Sequence, residues 1–294
     1  MGKYNYKVTK KDEGLTINQI LKENFKFSAR FKTKMKFQSL VDLNDTPTAG
    51  YIKPVAGDII SVRLPQESSD FPPENIPLDV IYEDEDLLII NKQAGIIVHP
   101  TKGHPTGTLA NAVMKYMIDT KQKFKIRFVN RIDMDTTGIV IVAKNANAQN
   151  NISDQMRNGS TIKKYIALVH GKIDKDLTID LPVGRPSQET VQRAVMKSGG
   201  KDAKTDVKVL KKFDKFTLVE LTIHTGRTHQ IRVHLSHIGN PIAGDNLYGG
   251  ECSLIDRQAL HAYYISFIHP MTGEVLEASA PHPYDIENAI SSLS

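Results

Sequence analysis

Asn130-Arg131-Ile132-Asp133-Met134-Asp135-Thr136-Thr137-Gly138 runs without a break into Ile139-Val140-Ile141-Val142-Ala143. The second half is a continuous apolar run, the pattern of a strand buried on both faces. The first half is polar, carries an arginine and an aspartate two positions apart, and ends in a glycine. Together they place an ionised carboxylate on a tight bend at the edge of a sheet. Such a carboxylate reads either as the cap of a turn or as a nucleophile, and the stretch alone favours neither.

Outward from this stretch, strand-like and helical patterns alternate. Leu87-Leu88-Ile89-Ile90 is a second continuous apolar run, and Phe216 to Ile223 alternates at period two. Thr108–Met117 and Ala146–Met156 read as helices. The pattern predicts one α+β domain around a long sheet, spanning residues 78–290.

Residues 1–64 differ in composition. They carry 12 Lys+Arg against 6 Asp+Glu, whereas the remainder holds 26 against 27, so the basic excess of the chain belongs to this segment. A concentrated basic patch is a footprint for a polyanion, most often nucleic acid, although a solvated Lys-rich face looks the same. Residues 1–12 are polar and read as a loose end. Ile17, Ile20 and Leu21 give the spacing of a short amphipathic helix. Ser28 is placed to cap a second helix carrying Arg30, Lys32, Lys34 and Lys36, whose alternation would also permit a strand. Leu40-Val41-Asp42-Leu43 reads as a strand, Asn44-Asp45 as a turn, and Gly57-Asp58 as a turn leading into Ile59-Ile60-Ser61-Val62. Residues 65–77, rich in Pro and Ser, read as a semi-stiff linker.

Cys252 is the only cysteine, which excludes an internal disulfide and a Cys-rich metal site. The N-terminus lacks the apolar core of a secretory signal, and Tyr6 breaks the myristoylation pattern. No apolar run is long enough to span a bilayer. The expectation is a reduced, cytoplasmic monomer without a membrane partner.

The opening stretch resembles the catalytic motif of the RluA-type pseudouridine synthases, usually written HRLDxxTSG. Three further stretches resemble the same family in the same order. Val80 to Gly95, followed by His99-Pro100, has Gln93 where the family favours proline. Lys163-Lys164-Tyr165-Ile166-Ala167-Leu168-Val169 precedes His170-Gly171. His224 to Gly249, containing Gly226-Arg227-Thr228-His229-Gln230-Ile231-Arg232, is the longest match. The resemblance implies a mixed, mainly antiparallel sheet and an isomerase acting on uridine in RNA. It makes Asp133 the candidate nucleophile, Tyr165 the residue packed on the uracil and a candidate base, and Arg232 the ion-pair partner of Asp133. Arg131, which could fill the gap left by a flipped base, and Arg227 are candidate RNA contacts. The family's usual His is Asn130 here, so the reading rests on Asp133 and not on the whole motif. Residues 1–64 resemble the small RNA-binding domain named after ribosomal protein S-four, in which Arg30, Lys32, Lys34 and Lys36 would meet phosphates. Ser39 and Asp45 stand where that family's turns commonly have glycine. The segments at Arg257–Tyr263 and Ile268–Glu274 resemble the family's closing scaffold.

An isomerisation has no redox change and no energy input, so no cofactor or metal is required. A zinc site among His224, His229, His234 and His237 is disfavoured, because His229 and His234 lie about 140° apart on a helix and no Cys or Glu completes a ligand set. Asp133 and Asp135 are too close in sequence for a glycosidase pair. The implied partner is ribosomal RNA first and transfer RNA second. The alternative is a non-catalytic RNA-binding or ribosome-assembly factor on the same scaffold.

Overall fold

A computed structural model of the chain describes residues 3–25, 27, 29–65 and 67–293, and the side chains of Ala29 and Arg30 fall outside the described set. Ser28 as a helix cap and the side-chain role of Arg30 therefore lie outside the described residues, as does Gln66.

The N-terminal unit is a sheet of β1 (Lys3–Lys7), β2 (Val41–Leu43), β3 (Thr46–Pro47) and β4 (Ile59–Arg63) in the order β1-β4-β2-β3, packed on α1 (Ile17–Asn24) and α2 (Ala29–Phe37). Thr16 caps α1 by accepting the amide of Gln19, whose side chain answers to the Thr16 amide. Ile17, Ile20 and Leu21 are the buried face of that helix. The loose end expected over residues 1–12 is corrected. Lys3 to Lys7 alternates, Tyr4 turns inward, and the segment pairs antiparallel with β4. At the turns, Ser39, Asn44 and Asp45 occupy the left-handed region at φ of 46, 50 and 62°, the conformation that glycine supplies without strain.

The large unit continues with β5 (Asp79–Glu83), β6 (Leu87–Lys92), α3 (Leu109–Asp119), β7 (Arg127–Phe128), β8 (Thr137–Ala143) and α4 (Ala146–Asn158). There follow β9 (Ile162–His170), β10 (Leu177–Asp180), β11 (Val183–Gly184), β12 (Ala194–Val195), β13 (Lys204–Lys212) and β14 (Phe216–Ile223). It closes with α5 (Gln230–His237), β15 (Leu260–Ile268), β16 (Val275–Ser279) and α6 (Tyr284–Ser291). Among the described residues ten strands form one sheet, in the order β10-β13-β14-β9-β15-β8-β6-β5, with β16 on β15 and β7 on β8. Every pairing is antiparallel except β8 with β15, which gives the mixed, mainly antiparallel α+β sheet that the sequence implied. β11 and β12 form a separate hairpin.

Strand β6 lies at the centre of the core. Leu87, Leu88, Ile89 and Ile90 are all fully buried, alternately facing two apolar clusters. Each such side chain contributes roughly 1.5–3 kcal/mol of burial. The segment expected as a semi-stiff linker is extended and makes several contacts with the large unit. Glu67 pairs with Arg127, Ser69 accepts the amide of Ile126, the Pro72 carbonyl accepts Asn111, and Glu74 accepts the amide of Gly107. Phe71 packs against the main core. Prolines keep this segment extended, but its side chains fasten it to the large unit. The N-terminal unit is fastened too, through the Tyr4 hydroxyl, which lies 3.0 Å from Asp86 and 3.1 Å from Asn145.

Candidate active site

The Asp133 loop leads into β8 and is held from several sides. The Thr136 amide donates to the Asp133 carbonyl, which closes the tight bend. Lys92, fully buried at the end of β6, donates to the carbonyls of Gln93, Ile96 and Met134 at 2.7–2.9 Å. Three acceptors match the three protons of an ammonium group, while burial lowers that ammonium to about 7 against the pull of Asp135 and Asp133. Arg257 donates to the Asp135 carbonyl at 2.9 Å and is itself clamped by Asp285. Gly138 is required by geometry. Its φ is +110°, and a Cβ there would lie 2.2 Å from the Ala262 carbonyl oxygen on the parallel neighbour β15.

Asn130 departs from the family pattern without leaving a gap. Its amide nitrogen donates to the Ile139 carbonyl at 3.0 Å, and its oxygen accepts the Ile141 amide at 2.8 Å. The side chain thus satisfies two main-chain groups at the margin of β8 and supports the loop as an extra rung would.

Arg232, on α5, reaches Asp133 with Nη1 at 3.0 Å. Its other two nitrogens, Nε and Nη2, each donate at 2.7 Å to Asp245, which is 1% exposed. The guanidinium also lies over the Tyr248 ring, 4.9 Å from the centroid. The side-on pair with Asp245 fixes the plane of the arginine and turns Nη1 toward Asp133. Two acidic groups raise the guanidinium above its ordinary range despite its burial. Asp245 and Tyr248 went unsingled in the sequence. The signal available there was an acid in an otherwise apolar and glycine-rich neighbourhood, since a buried acid needs a cationic partner.

Tyr165 is buried on β9 against the same cleft. Burial and the Asp133 charge raise its phenol well above its ordinary range. The ring is therefore a neutral, apolar wall beside the carboxylate. Arg131 donates to Thr228 at 2.9 Å, and Arg227 donates through Nε to the Asp202 carbonyl at 2.8 Å. Asp133, Tyr165, Arg232, Arg131 and Arg227 all line one cavity with His229, Thr136 and Leu260.

Helix α5 starts at Gln230, after a loop that its first residue pins. Gln230 accepts the Arg227 amide and the Thr225 hydroxyl and donates to the Lys204 carbonyl. This stitching holds His229 at φ 56°, a left-handed value rare for a residue with a side chain. His234 bonds Thr205 and the Leu181 carbonyl, and His224 bonds Asp206.

In the N-terminal unit, the helical register splits the basic residues of α2. Lys32 and Lys36 rim a cavity of about 650 Å³ between α1, α2 and the loop at Pro47–Tyr51, and Lys34 does not line it. Phe37 and Tyr51, 81% and 75% exposed, stand on the same unit. No helix among the described residues is long and apolar enough to cross a membrane.

Comparison with known proteins gives one family. A family model described as RNA pseudouridylate synthase matches residues 86–237. The uncharacterized RNA pseudouridine synthase YlyB of Bacillus subtilis is 42% identical over 86% of this chain and 85% of its own length. Ribosomal large subunit pseudouridine synthase D of Neisseria meningitidis serogroup A is 38% identical over 87% of this chain and 72% of its own. Among solved structures, human RNA pseudouridylate synthase domain containing 1 superposes with a TM-score of 0.60 at 30% identity, covering 72% of this chain and 86% of that one.

Proposed function

We propose, since the chain belongs to the RNA pseudouridylate synthase family and is an isomerase acting on RNA, that its substrate is large-subunit ribosomal RNA and that Asp133 carries the reaction. The observation that supports this most is the array Asp245–Arg232–Asp133 against the Tyr165 ring. It presents one ion-paired carboxylate at the mouth of a cleft with an apolar wall.

The reacting atoms of a stacked uridine are inaccessible, so the nucleotide must leave the stack. Arg131, exposed at the cleft margin, fills the space it vacates. The uracil packs on Tyr165. Attack at C1′, attack at C6 and removal of a sugar proton all require the ionised carboxylate; attack at C1′ displaces N1 directly, and the other two routes go on to break the bond between N1 and C1′ in a following step. The uracil turns, C5 bonds to C1′, and the C5 proton is lost as N1 gains one, so atoms balance without an oxidant or a second substrate. The raised phenol of Tyr165 favours a packing role over service as the base that takes the C5 proton.

Two supports exist for the RNA of the large ribosomal subunit: the relatives bearing that name, and the basic N-terminal unit. That unit, residues 1–64, would be the RNA-binding domain whose Lys32 and Lys36 meet phosphates, with residues 78–290 as the catalytic domain. Chemical mapping of pseudouridine in total RNA, from cells with and without the gene, tests the proposal. Sites lost from large-subunit RNA are expected. Loss confined to transfer RNA would move the substrate, and loss nowhere would favour a non-catalytic RNA-binding factor.

A further inference from the structure

His229 is placed unlike any other histidine of the chain. Its Nε2 lies 3.8 Å from Asp133 Oδ2, the oxygen that also accepts Arg232. Its Nδ1 lies 2.8 Å from the Tyr248 hydroxyl, and that hydroxyl accepts the amide of Arg193 at 2.8 Å. Arg193 sits just before β12, whose hairpin packs beside α5, with Val195 and Tyr248 against Val183 and Val233. A main-chain group from the hairpin, a hydroxyl, an imidazole and the candidate nucleophile thus form one chain of contacts.

The direction of the protons follows from the partners. The Arg193 amide can only donate, so the Tyr248 oxygen accepts there and has its own proton to give. The acceptor within reach is His229 Nδ1. An imidazole that accepts at Nδ1 carries its proton at Nε2, the nitrogen facing Asp133. The charged groups around the ring are Asp133, Arg232, Arg193 and Asp245. Desolvation and the two arginines lower His229 below its ordinary value, and Asp133 and Asp245 oppose them. The ring is then a neutral donor, unlike Arg232, which is a cation.

We infer that His229 is a positioning residue, whose Nε2–H, set by the Tyr248 hydroxyl, aims the Asp133 carboxylate at the substrate. Arg232 alone fixes one oxygen by a single N–H and leaves the carboxylate free to rotate about that contact. A second donor on the same oxygen removes the rotation and keeps the other oxygen free for the uridine. At 3.8 Å the contact is open, and catalytic hydrogen bonds of this kind tighten when substrate excludes water. The left-handed backbone at His229 is local strain, held by the Gln230 stitching, at the residue that touches the carboxylate. Tyr248 serves two ends at once, ordering the imidazole through its hydroxyl and the guanidinium through its ring.

This inference rests on Asp133 acting as proposed above, and the test separates the two. Total RNA from cells lacking the gene, tritiated at uridine C5, is mixed with excess enzyme, and the saturating single-turnover rate and half-saturating concentration are read. H229A is expected to lower the rate at least tenfold and leave half-saturation within twofold. H229Q presents an amide N–H near the position of Nε2 and carries the same backbone strain, so it should recover most of the loss. Y248F should fall between them. In wild-type protein, nitrogen NMR of labelled histidine should show His229 with its proton on Nε2, and Y248F should disturb that tautomer. H229A at the wild-type rate, H229Q as slow as H229A, or a proton on Nδ1 would each overturn the inference. No tritium release by wild-type enzyme would instead remove the functional reading, and the tautomer would still decide the placement of the proton.

Discussion

Replacing Asp245 with Asn probes the array from the side that never meets substrate. Asp245 is 1% exposed and takes two N–H groups of Arg232 at 2.7 Å. The amide keeps the size, retains one acceptor and turns an NH₂ toward a guanidinium N–H. Removing one partner of a buried pair costs about 3–5 kcal/mol. With one of the two bonds kept, a loss of roughly half, ~2 kcal/mol, is expected, which lowers Tm by about 3–5 °C for a chain of this size. The larger effect should be on turnover. With one bond to residue 245 lost, Arg232 keeps Asp133 as its remaining carboxylate and is expected to turn toward a side-on pair with it, which would drag the carboxylate from its place and occupy both of its oxygens. A misplacement of about 1 Å can cost ~100-fold in rate. Scanning calorimetry gives the stability term. Tritium release from C5-labelled RNA gives the rate, because C5 loses its hydrogen when the new bond forms. A D245N protein with Tm within 1–2 °C of wild type and turnover within about twofold would refute the role of Asp245 as the anchor of Arg232.

Three further outcomes are expected. G138A should be poorly soluble or strongly destabilised, since a Cβ would meet the Ala262 backbone at 2.2 Å at a φ of +110°; a Tm near wild type in calorimetry would contradict this. His261 is fully buried beside Thr137 and its imidazole is lowered to about 4. The unfolded chain titrates near 6.5, so this stability is complete above that pH and is lost as pH falls toward 4. Urea unfolding at pH 8 and pH 5 should show wild type losing ~2 kcal/mol more than H261Q, and equal losses would exclude the effect. Replacing Lys32 and Lys36 with Ala should flatten the salt dependence of RNA binding by ~0.7–0.9 per phosphate contact removed. K34A should change it little, because Lys34 stands away from the cavity that the other two rim; equal slopes for all three proteins would separate that cavity from RNA binding.

The elements with strong local periodicity were legible in the sequence. The Phe216–Ile223 strand falls at the expected residues, and the α3 and α4 patterns lie within a few residues of the observed helices. Strand β1 escaped because five residues of Lys, Tyr and Asn carry little apolar signal until β4 pairs with them. The 65–77 segment reads as a semi-stiff linker, and its attachments were not legible because they are made by single residues such as Ser69 and Glu74 to partners far along the chain. At the site, Asp133, Tyr165 and Arg232 were nameable through the family resemblance, whereas their arrangement was not. Asp245, Tyr248 and His229 acquire meaning only when a helix, a short turn and the hairpin before β13 are brought together. No spacing in the sequence announces that Arg193 lends its amide to Tyr248. Lys92 is a similar case: nothing in its spacing from Leu87–Ile90 shows that it lies fully buried beneath the Met134 carbonyl.

The most direct test of the central claim is tritium release and RNA binding by D133N, which keeps the shape of the loop and removes the charge. The expected result is no pseudouridine formation from C5-tritiated RNA, RNA affinity within about twofold of wild type, and an unchanged fold by circular dichroism. Turnover near the wild-type level would contradict the assignment of Asp133 as the group that opens the glycosidic bond.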